Sequence, residues 1–125
     1  MDVHGHAGIA REFLWMCARG EIREAFARHV AGGFVHHNAH FAGDRASLIE
    51  AMEASARAEP DKVLEVMQVV EGADRVAVMS RLRRPAAGKD YAVVHILRFQ
   101  AGKVVEMWAV GQEVPADSPN ARGMF

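Results

Sequence analysis

The hydrophobic period of the chain changes at Pro60. Before this residue, apolar positions recur every three or four residues, as in amphipathic helices. After it, valine-rich segments of strand length follow one another. Pro60 itself ends a helix because it lacks the backbone N–H that a helix interior needs. A chain of 125 residues divided in this way is predicted to form one domain over residues 1–125, with its helices segregated from an antiparallel sheet. This is the α+β class.

Three helices are predicted before Pro60. The first ends at Gly20, and the second follows it in a bent pair and ends at the glycine pair 32–33. Asp44 is a good N-cap for the third helix, whose apolar residues share one face as far as Pro60. A short strand or extended arm is expected between the second and third helices, over residues 34–41.

Four strands are predicted after Pro60, at residues 62–71, 75–84, 91–99 and 103–112. They form an antiparallel meander, and a three-residue loop at 100–102, with Gly102 in the left-handed region, joins the last two. In that register Tyr91, Val93, His95, Leu97 and Phe99 share a face with Val105, Met107, Ala109 and Gly111. The other face carries Arg98, Glu106, Trp108 and Gln112. A two-residue loop would instead swap the faces of one strand relative to the other.

Charge and composition exclude several classes of partner. The net charge is −1, and the one tight basic cluster, Arg81, Arg83 and Arg84, has no interleaved aromatic residues, so no nucleic-acid partner is predicted. No apolar run is long enough to span a membrane, and the N-terminus does not resemble a secretory leader. A cytoplasmic location is therefore expected.

The single cysteine, Cys17, is predicted to be a buried, inert thiol.

Three segments together resemble a known family. Residues 93–99 read VVHILRF, residues 34–38 read FVHHN, and residues 113–125 read EVPADSPNARGMF. These segments resemble the SnoaL-like polyketide cyclases, a branch of the nuclear transport factor two-like superfamily. The resemblance implies a cone-like curved sheet against three N-terminal helices, a small-molecule pocket and a homodimer. The chain has no GxGxxG, P-loop or CxxC motif, so no cofactor is predicted.

The resemblance also implies site residues. His95 matches a family histidine on the face over which the pocket lies, and its implied catalytic role is to act as a base or to polarise a ligand carbonyl. His37 and Asn38 match the family's His-Asn pair and are implied to position the ligand. Tyr91, Met79, Met107 and Ala109 are expected to line the pocket. The alternative for His95 is that it is a core histidine whose hydrogen bonds are satisfied within the protein. The alternative for the methionines is that they only fill the core.

Two substitutions make this pocket more apolar than the family's. Ala109 stands where the polyketide cyclases carry the aspartate that acts as general acid/base, and Met79 stands where many relatives carry a histidine. The nearby Glu106 is predicted to project to the opposite face, with Arg98 as its cross-strand partner. Trp108 on that face is expected to lie in a dimer interface.

The remaining histidines do not form a recognisable metal motif. His36 and His40, with Asn38 between them, supply part of a coordination sphere, but no HExxH motif or carboxylate triad completes it, so no metal is predicted. His4 and His6 are expected to be solvated. The terminal Met124 and Phe125 are expected to dock across the pocket mouth or on a partner subunit.

Three functions remain open at this point. The first is a cofactor-independent cyclase, isomerase or hydratase acting on a small carbonyl compound. The second is a non-catalytic protein that binds an apolar ligand, which the loss of the aspartate at Ala109 favours. The third is a purely structural dimer with a collapsed cavity. The resemblance implies a small apolar or carbonyl-containing ligand, and the sequence names no substrate.

Overall fold

The computed structural model of the protein describes residues 5–125. The elements are α1 (His6–Ala18), α2 (Ile22–His29), β1 (Val30–His37), α3 (Arg45–Ala58), β2 (Val63–Glu71), β3 (Arg75–Arg84), β4 (Lys89–Gln100) and β5 (Lys103–Glu113). The predicted α+β class is therefore confirmed. Across residues 5–125 no helix has the length and apolar character needed to cross a membrane. The expectation for His4 lies outside the described residues.

Two predicted helix boundaries, the end of α1 and the start of α3, follow local sequence signals, and the predicted end of α2 does not. Gly20 takes a left-handed conformation with φ of +88° directly after α1, as its lack of a side chain permits. Asp44 caps α3 by accepting a hydrogen bond from the backbone N–H of Ser47 at 2.9 Å. The prediction that the second helix ends at the glycine pair 32–33 was wrong, because α2 ends at His29.

The residue after α2 belongs at once to the sheet. Val30 has extended backbone angles and pairs with Val104 of β5, so the chain passes from helix to strand without a loop. The glycine pair 32–33 lies inside β1, which runs to His37 rather than to residue 41. A buried, β-branched valine favours the strand at this point more than the glycines favour a break.

The strands form one five-stranded sheet in the order β1-β5-β4-β3-β2. The segment from β2 to β5 is the predicted antiparallel meander, whereas β1 joins the edge at β5 in a parallel pairing. The sheet is therefore mixed rather than wholly antiparallel. Its register shifts in β2 between Val66 and Gln68 and in the last hairpin between Arg98 and Phe99, and such bulges bend strands and increase their twist.

The last hairpin closes with the two-residue loop that was the alternative to the predicted three-residue loop. Gln100 pairs with Lys103, so the loop has two residues, Ala101 with φ of +49° and Gly102 with φ of +76°. Two left-handed residues in a two-residue loop are typical of a type I′ turn. The prediction of a three-residue loop was wrong.

A bulge at Val105 restores the predicted faces. Phe99 pairs with Val104, but Arg98 pairs with Glu106, which leaves Val105 as the extra residue. A two-residue loop alone would swap the faces of β5 relative to β4. The extra residue swaps them back, so the odd-numbered residues of β5 from Met107 onwards still pair with odd-numbered residues of β4. Of the residues assigned to this face, Val105 alone was placed wrongly, because the fully buried Val104 takes its position on the core side.

The helices pack against one side of the sheet, which we call the inner face. Its sheet residues are Phe34, His36, Val66, Val69, Val76, Val78, Ser80, Tyr91, Val93, His95, Leu97, Phe99, Val104, Met107 and Ala109. The opposite side, the outer face, carries Val35, His37, Val70, Met79, Arg81, Arg98, Glu106, Trp108 and Val110. An aromatic chain from Phe13 through Phe26 to Phe34, with centroid distances of 5.2 and 5.7 Å, joins the helices to β1.

Cys17 of α1 is half-buried and packs against this core. Burial raises the pKa of its thiol to about 12, so the thiolate that reacts with oxidants and metals is scarce near neutral pH. This environment agrees with the prediction of an inert thiol.

Candidate ligand-binding site

His95 lies on the inner face, in β4, between two neighbours of low polarity. It pairs with Val78 of β3 on one side and with Ala109 of β5 on the other. The residue as a whole is partly exposed, but its Nδ1 is buried and has no hydrogen-bond partner within residues 5–125. Burial lowers the pKa of the imidazole to about 4, because the charged form loses its hydration. His95 is therefore neutral near pH 7.

Ser80 is a second polar residue on the inner face, and the sequence analysis missed it. Its side chain is fully buried, and Oγ has no partner among the described residues. In the sequence it follows Val76 and Val78 at strand spacing. A serine in series with two core valines was the available signal, because the other positions of that series are apolar.

The other inner-face residues near His95 are apolar. Met107 is buried opposite Leu97, and Ala109 presents only a methyl group opposite His95. Gly111 lies opposite Val93, where an added Cβ would come 3.5 Å from a methyl group of that valine. The structure thus brings His95, Met107 and Ala109 together as predicted.

Tyr91 lies on the same face, near the start of β4. The guanidinium of Arg84 stands 5.4 Å from its ring centroid, and Arg84 Nη1 donates to its hydroxyl at 3.4 Å. Arg84 in turn donates two hydrogen bonds to Glu59, at 3.0 and 2.6 Å, which hold the pKa of that carboxyl below its usual value. These contacts connect the rim of the inner face to the residue that follows α3.

The structure separates three predicted site residues from His95. Met79 lies on the outer face, where its sulfur accepts a hydrogen bond from Gln68 Nε2 at 3.4 Å. His37 also lies on the outer face. Asn38 follows the end of β1, and its Oδ1 accepts a hydrogen bond from the backbone N–H of His40 at 2.7 Å, which stabilises the local turn.

His36, not His37, is the histidine of this segment that faces inward. It is 5% exposed, pairs with Met107 and stacks on Phe34 with centroids 6.2 Å apart. Its Nε2 lies 2.6 Å from the carbonyl oxygen of Ala42, so this nitrogen donates a hydrogen bond to the loop before α3. In the described part of the chain no three His, Cys, Asp or Glu side chains converge in a metal-binding arrangement.

His37 belongs to a polar and aromatic cluster on the outer face. Its Nε2 lies 2.7 Å from Glu106 Oε2, and its ring stacks on Trp108 at 5.0 Å. Arg98 contacts the other oxygen of Glu106 at 2.9 and 3.0 Å, as predicted. Hydrogen bonds from His37 and Arg98 lower the pKa of the Glu106 carboxyl, so it is ionised near neutral pH.

The C-terminal residue packs on its own chain. The Arg81 guanidinium lies 5.4 Å from the ring centroid of Phe125, on the outer side of β3. Arg81 also forms a salt bridge with Asp90 at 2.7 Å. Phe125 therefore packs on the side of the sheet opposite His95, which differs from one of the two expected docking places.

Two surface recesses occur away from His95. The first has a volume of about 430 Å³ and is lined by Gly88, Lys89, Asp90, Glu113, Val114 and Ala116. The second, of about 440 Å³, is lined by residues 32–35 of β1 and by residues 44–46 at the start of α3. Neither includes His95 or Ser80.

Comparisons with known proteins agree on the fold. The chain matches the SnoaL-like domain over residues 10–107. AclR, a hydroxylase candidate from Streptomyces galilaeus, is 25% identical; the match covers 86% of this chain and 91% of AclR, with a TM-score of 0.67. No curated protein matches the chain.

Two further solved structures share the fold at lower identity. IdmH, a polyketide cyclase candidate from Streptomyces antibioticus, is 16% identical, with coverage of 86% and 92% and a TM-score of 0.71. An isomerase candidate of the SnoaL-like family from Agrobacterium tumefaciens is 10% identical, with coverage of 86% and 97% and the same TM-score, 0.71. Because the domain match spans most of the chain and the solved structures share its architecture, this protein belongs to the SnoaL-like family.

Proposed function

We propose that this protein binds a small, largely apolar carbonyl compound on the inner face of its sheet, with His95 as the polar contact. The observation that carries the proposal is the buried Nδ1 of His95, which has no partner within the described residues. A buried polar atom without a partner costs free energy. Apolar surroundings with a few placed polar groups are typical of small-molecule sites.

The proposed chemistry is cofactor-independent cyclisation or isomerisation of the carbonyl compound. Such reactions remove a proton next to the carbonyl and stabilise the oxygen on which negative charge develops. The low pKa of His95 favours hydrogen bonding to that oxygen over proton removal, since a general base works best with a pKa near the working pH. His95 would thus polarise the carbonyl as a neutral donor, and the proton removed next to the carbonyl would pass to a water molecule, because Ala109 offers no carboxylate to accept it.

A second candidate function is non-catalytic binding of the same class of ligand. Ala109 favours it, because the residue directly opposite His95 offers no carboxylate to remove a proton. The solved neighbours carry different names, hydroxylase, polyketide cyclase and isomerase, and this variety is expected of a fold that hosts many activities.

The outer face supports a further part of the proposal, a homodimer. Val110 and Val70 are 66% and 62% exposed on this face, and Trp108 lies beside Val110 in β5. Exposed apolar surface rimmed by polar groups is typical of protein interfaces, and Arg98 and Glu106 supply such groups here. The cytoplasmic location stays a prediction.

Native mass spectrometry of the purified protein tests the ligand proposal. We expect a retained small molecule in the wild type, less of it in His95→Gln, and no change in His40→Gln, a matched control in the exposed loop after β1. Incubation of the released compound with fresh protein separates the two functions, because an enzyme converts it and a binder returns it unchanged. Equal retention by wild type and His95→Gln would contradict the role of His95.

A further inference from the structure

Three buried side-chain atoms have no hydrogen-bond partner within residues 5–125: Arg45 Nε, Ser80 Oγ and His95 Nδ1. Arg45 stands apart at the start of α3, with its guanidinium over the ring of Phe26. Ser80 and His95, in contrast, lie on neighbouring strands of the inner face. Two such atoms side by side are unusual, because most buried polar groups in folded proteins have partners.

The strand register fixes the relation between the two residues. Ser80 pairs with Val93, and His95 pairs with Val78, so the two polar residues occupy diagonal positions on adjacent antiparallel strands. Diagonal residues on one face have Cα atoms about 7–8 Å apart. Ser80 and His95 do not bond to each other, so both polar atoms are left for a third atom to satisfy.

The surroundings determine what this third atom can belong to. Val78 and Val93, which complete the four-residue patch with Ser80 and His95, are apolar, and Ser80 is 0% exposed. A charged group placed here would lose its hydration without an opposite charge on these four residues, so the patch suits a neutral group. A hydroxyl can donate or accept, and so can a neutral imidazole, which means that one oxygen atom is able to satisfy both.

We propose that Ser80 Oγ and His95 Nδ1 form one subsite that binds a single neutral oxygen of the ligand, a carbonyl or hydroxyl oxygen. The inference rests on the proposed function and adds Ser80 to it as a binding residue. A carbonyl oxygen accepts from the Ser80 hydroxyl and from the Nδ1–H tautomer of His95. A ligand hydroxyl donates to Nδ1 and accepts from Ser80.

The subsite also predicts selectivity. A hydrocarbon of the same shape leaves both polar atoms buried and unpaired, and sites built to hydrogen-bond a substrate group reject analogues that lack it. The ligand should therefore be distinguished from its deoxygenated counterpart, whatever the rest of its skeleton. Ser80 and His95 should contribute to this preference together, since both contact the same atom.

The test uses acetophenone and ethylbenzene, which differ mainly in one carbonyl oxygen, in ligand-observed NMR titrations of the full chain. The wild type should bind acetophenone about tenfold more tightly than ethylbenzene, the effect of one net hydrogen-bonding contact. Ser80→Ala should lower this preference, because only His95 still contacts the oxygen, while leaving the affinity for ethylbenzene unchanged. Ser118→Ala, an exposed serine in the C-terminal tail, should behave like the wild type.

Each other outcome has a definite meaning. Equal affinity for the two probes in the wild type would overturn the oxygen subsite and leave an apolar pocket standing. A preference in Ser80→Ala as large as in the wild type would remove Ser80 from the subsite. An equal loss of affinity for both probes in Ser80→Ala would mean that the hydroxyl maintains the pocket or holds a water molecule, which also overturns the inference. Failure of both probes to bind would contradict the proposed pocket, and the subsite with it.

Discussion

His95 of β4 lies directly opposite Ala109 of β5 on the inner face of the sheet. Residues paired in this way have Cβ atoms about 4.5–5.5 Å apart. The position of Ala109 is the one at which the family resemblance implies an aspartate. A carboxylate there would lie beside the imidazole, and its absence leaves His95 with a methyl group as its cross-strand neighbour.

Ala109→Asp should raise the pKa of His95 above its present value of about 4. A carboxylate close to the imidazole favours the charged form, which burial now disfavours. An NMR titration of the His95 ring would measure the change. Ala116→Asp, in the exposed tail, adds the same charge at another place and serves as the control. An unchanged His95 pKa in Ala109→Asp would contradict the pairing on the inner face.

Burial of neutral His95 should make the protein less stable in mild acid. The pKa of His95 falls from 6.5 to about 4 on folding, so between these values the unfolded chain binds more protons than the folded one. This contribution is fully present above pH 6.5 and is lost as the pH falls towards 4. At 1.36 kcal/mol per unit it amounts to up to about 3 kcal/mol.

Urea denaturation of the wild type and of His95→Gln between pH 4 and pH 7 would isolate this effect. The free energy of unfolding should fall more steeply with decreasing pH in the wild type, because glutamine does not titrate. Parallel pH profiles for the two proteins would contradict the assignment of a depressed pKa to His95.

Ser80→Ala should stabilise the protein in the absence of a ligand. The hydroxyl is fully buried and unpartnered among the described residues, so its removal relieves an uncompensated desolvation cost of about 1 kcal/mol. Thermal and urea unfolding would show the gain. A loss of stability would instead show that the hydroxyl has a partner in the free protein, such as a bound water molecule.

The β4–β5 turn offers a stability test that does not involve the site. Ala101 adopts a positive φ of 49°, which is unfavourable for an alanine, whereas asparagine before Gly102 is a preferred type I′ sequence. Ala101→Asn should therefore raise the free energy of unfolding by about 0.5–1 kcal/mol. Gly102→Ala should lower it by about 1 kcal/mol or more, because φ there is +76°. Equal stabilities would exclude a type I′ turn in solution.

The proposed dimer predicts a change of assembly on the outer face. Val110→Lys places a charge at a site that is 66% exposed in the single chain, so the fold should persist while the interface loses an apolar contact. Sedimentation over a range of concentrations should show a dimer for the wild type and a larger monomer fraction for the variant. Trp15→Ser, at an exposed position of α1 away from the outer face, provides the control. A monomeric wild type would contradict the proposal.

Several features of the protein could be predicted from short stretches of sequence. Pro60 separates α3 from the meander of β2 to β5, Asp44 caps α3, and Gly102 occupies a left-handed position in the last turn. Each depends on the conformational preferences of a few neighbouring residues, which are the same wherever the segment lies in the fold. The alternation along β4 likewise placed His95 and Leu97 on one face.

Other features were decided by contacts between distant segments. The partner of β1 is β5, and their parallel register places His36 inside and His37 outside, a distinction that two adjacent histidines cannot reveal by themselves. Met79 lies outside because Val78 and Ser80 on either side of it face the core, and the run from Val76 to Met79 is apolar on both faces of the strand.

The sequence by itself determined the order of helices and strands and the apolar character of the inner face, because both follow from local periodicity. Only the tertiary structure decided that the Val105 bulge offsets the two-residue loop, and that Ser80 comes to lie diagonal to His95 without a partner for either. Register and burial depend on how all five strands and the helices pack together, and no local pattern of residues encodes that packing.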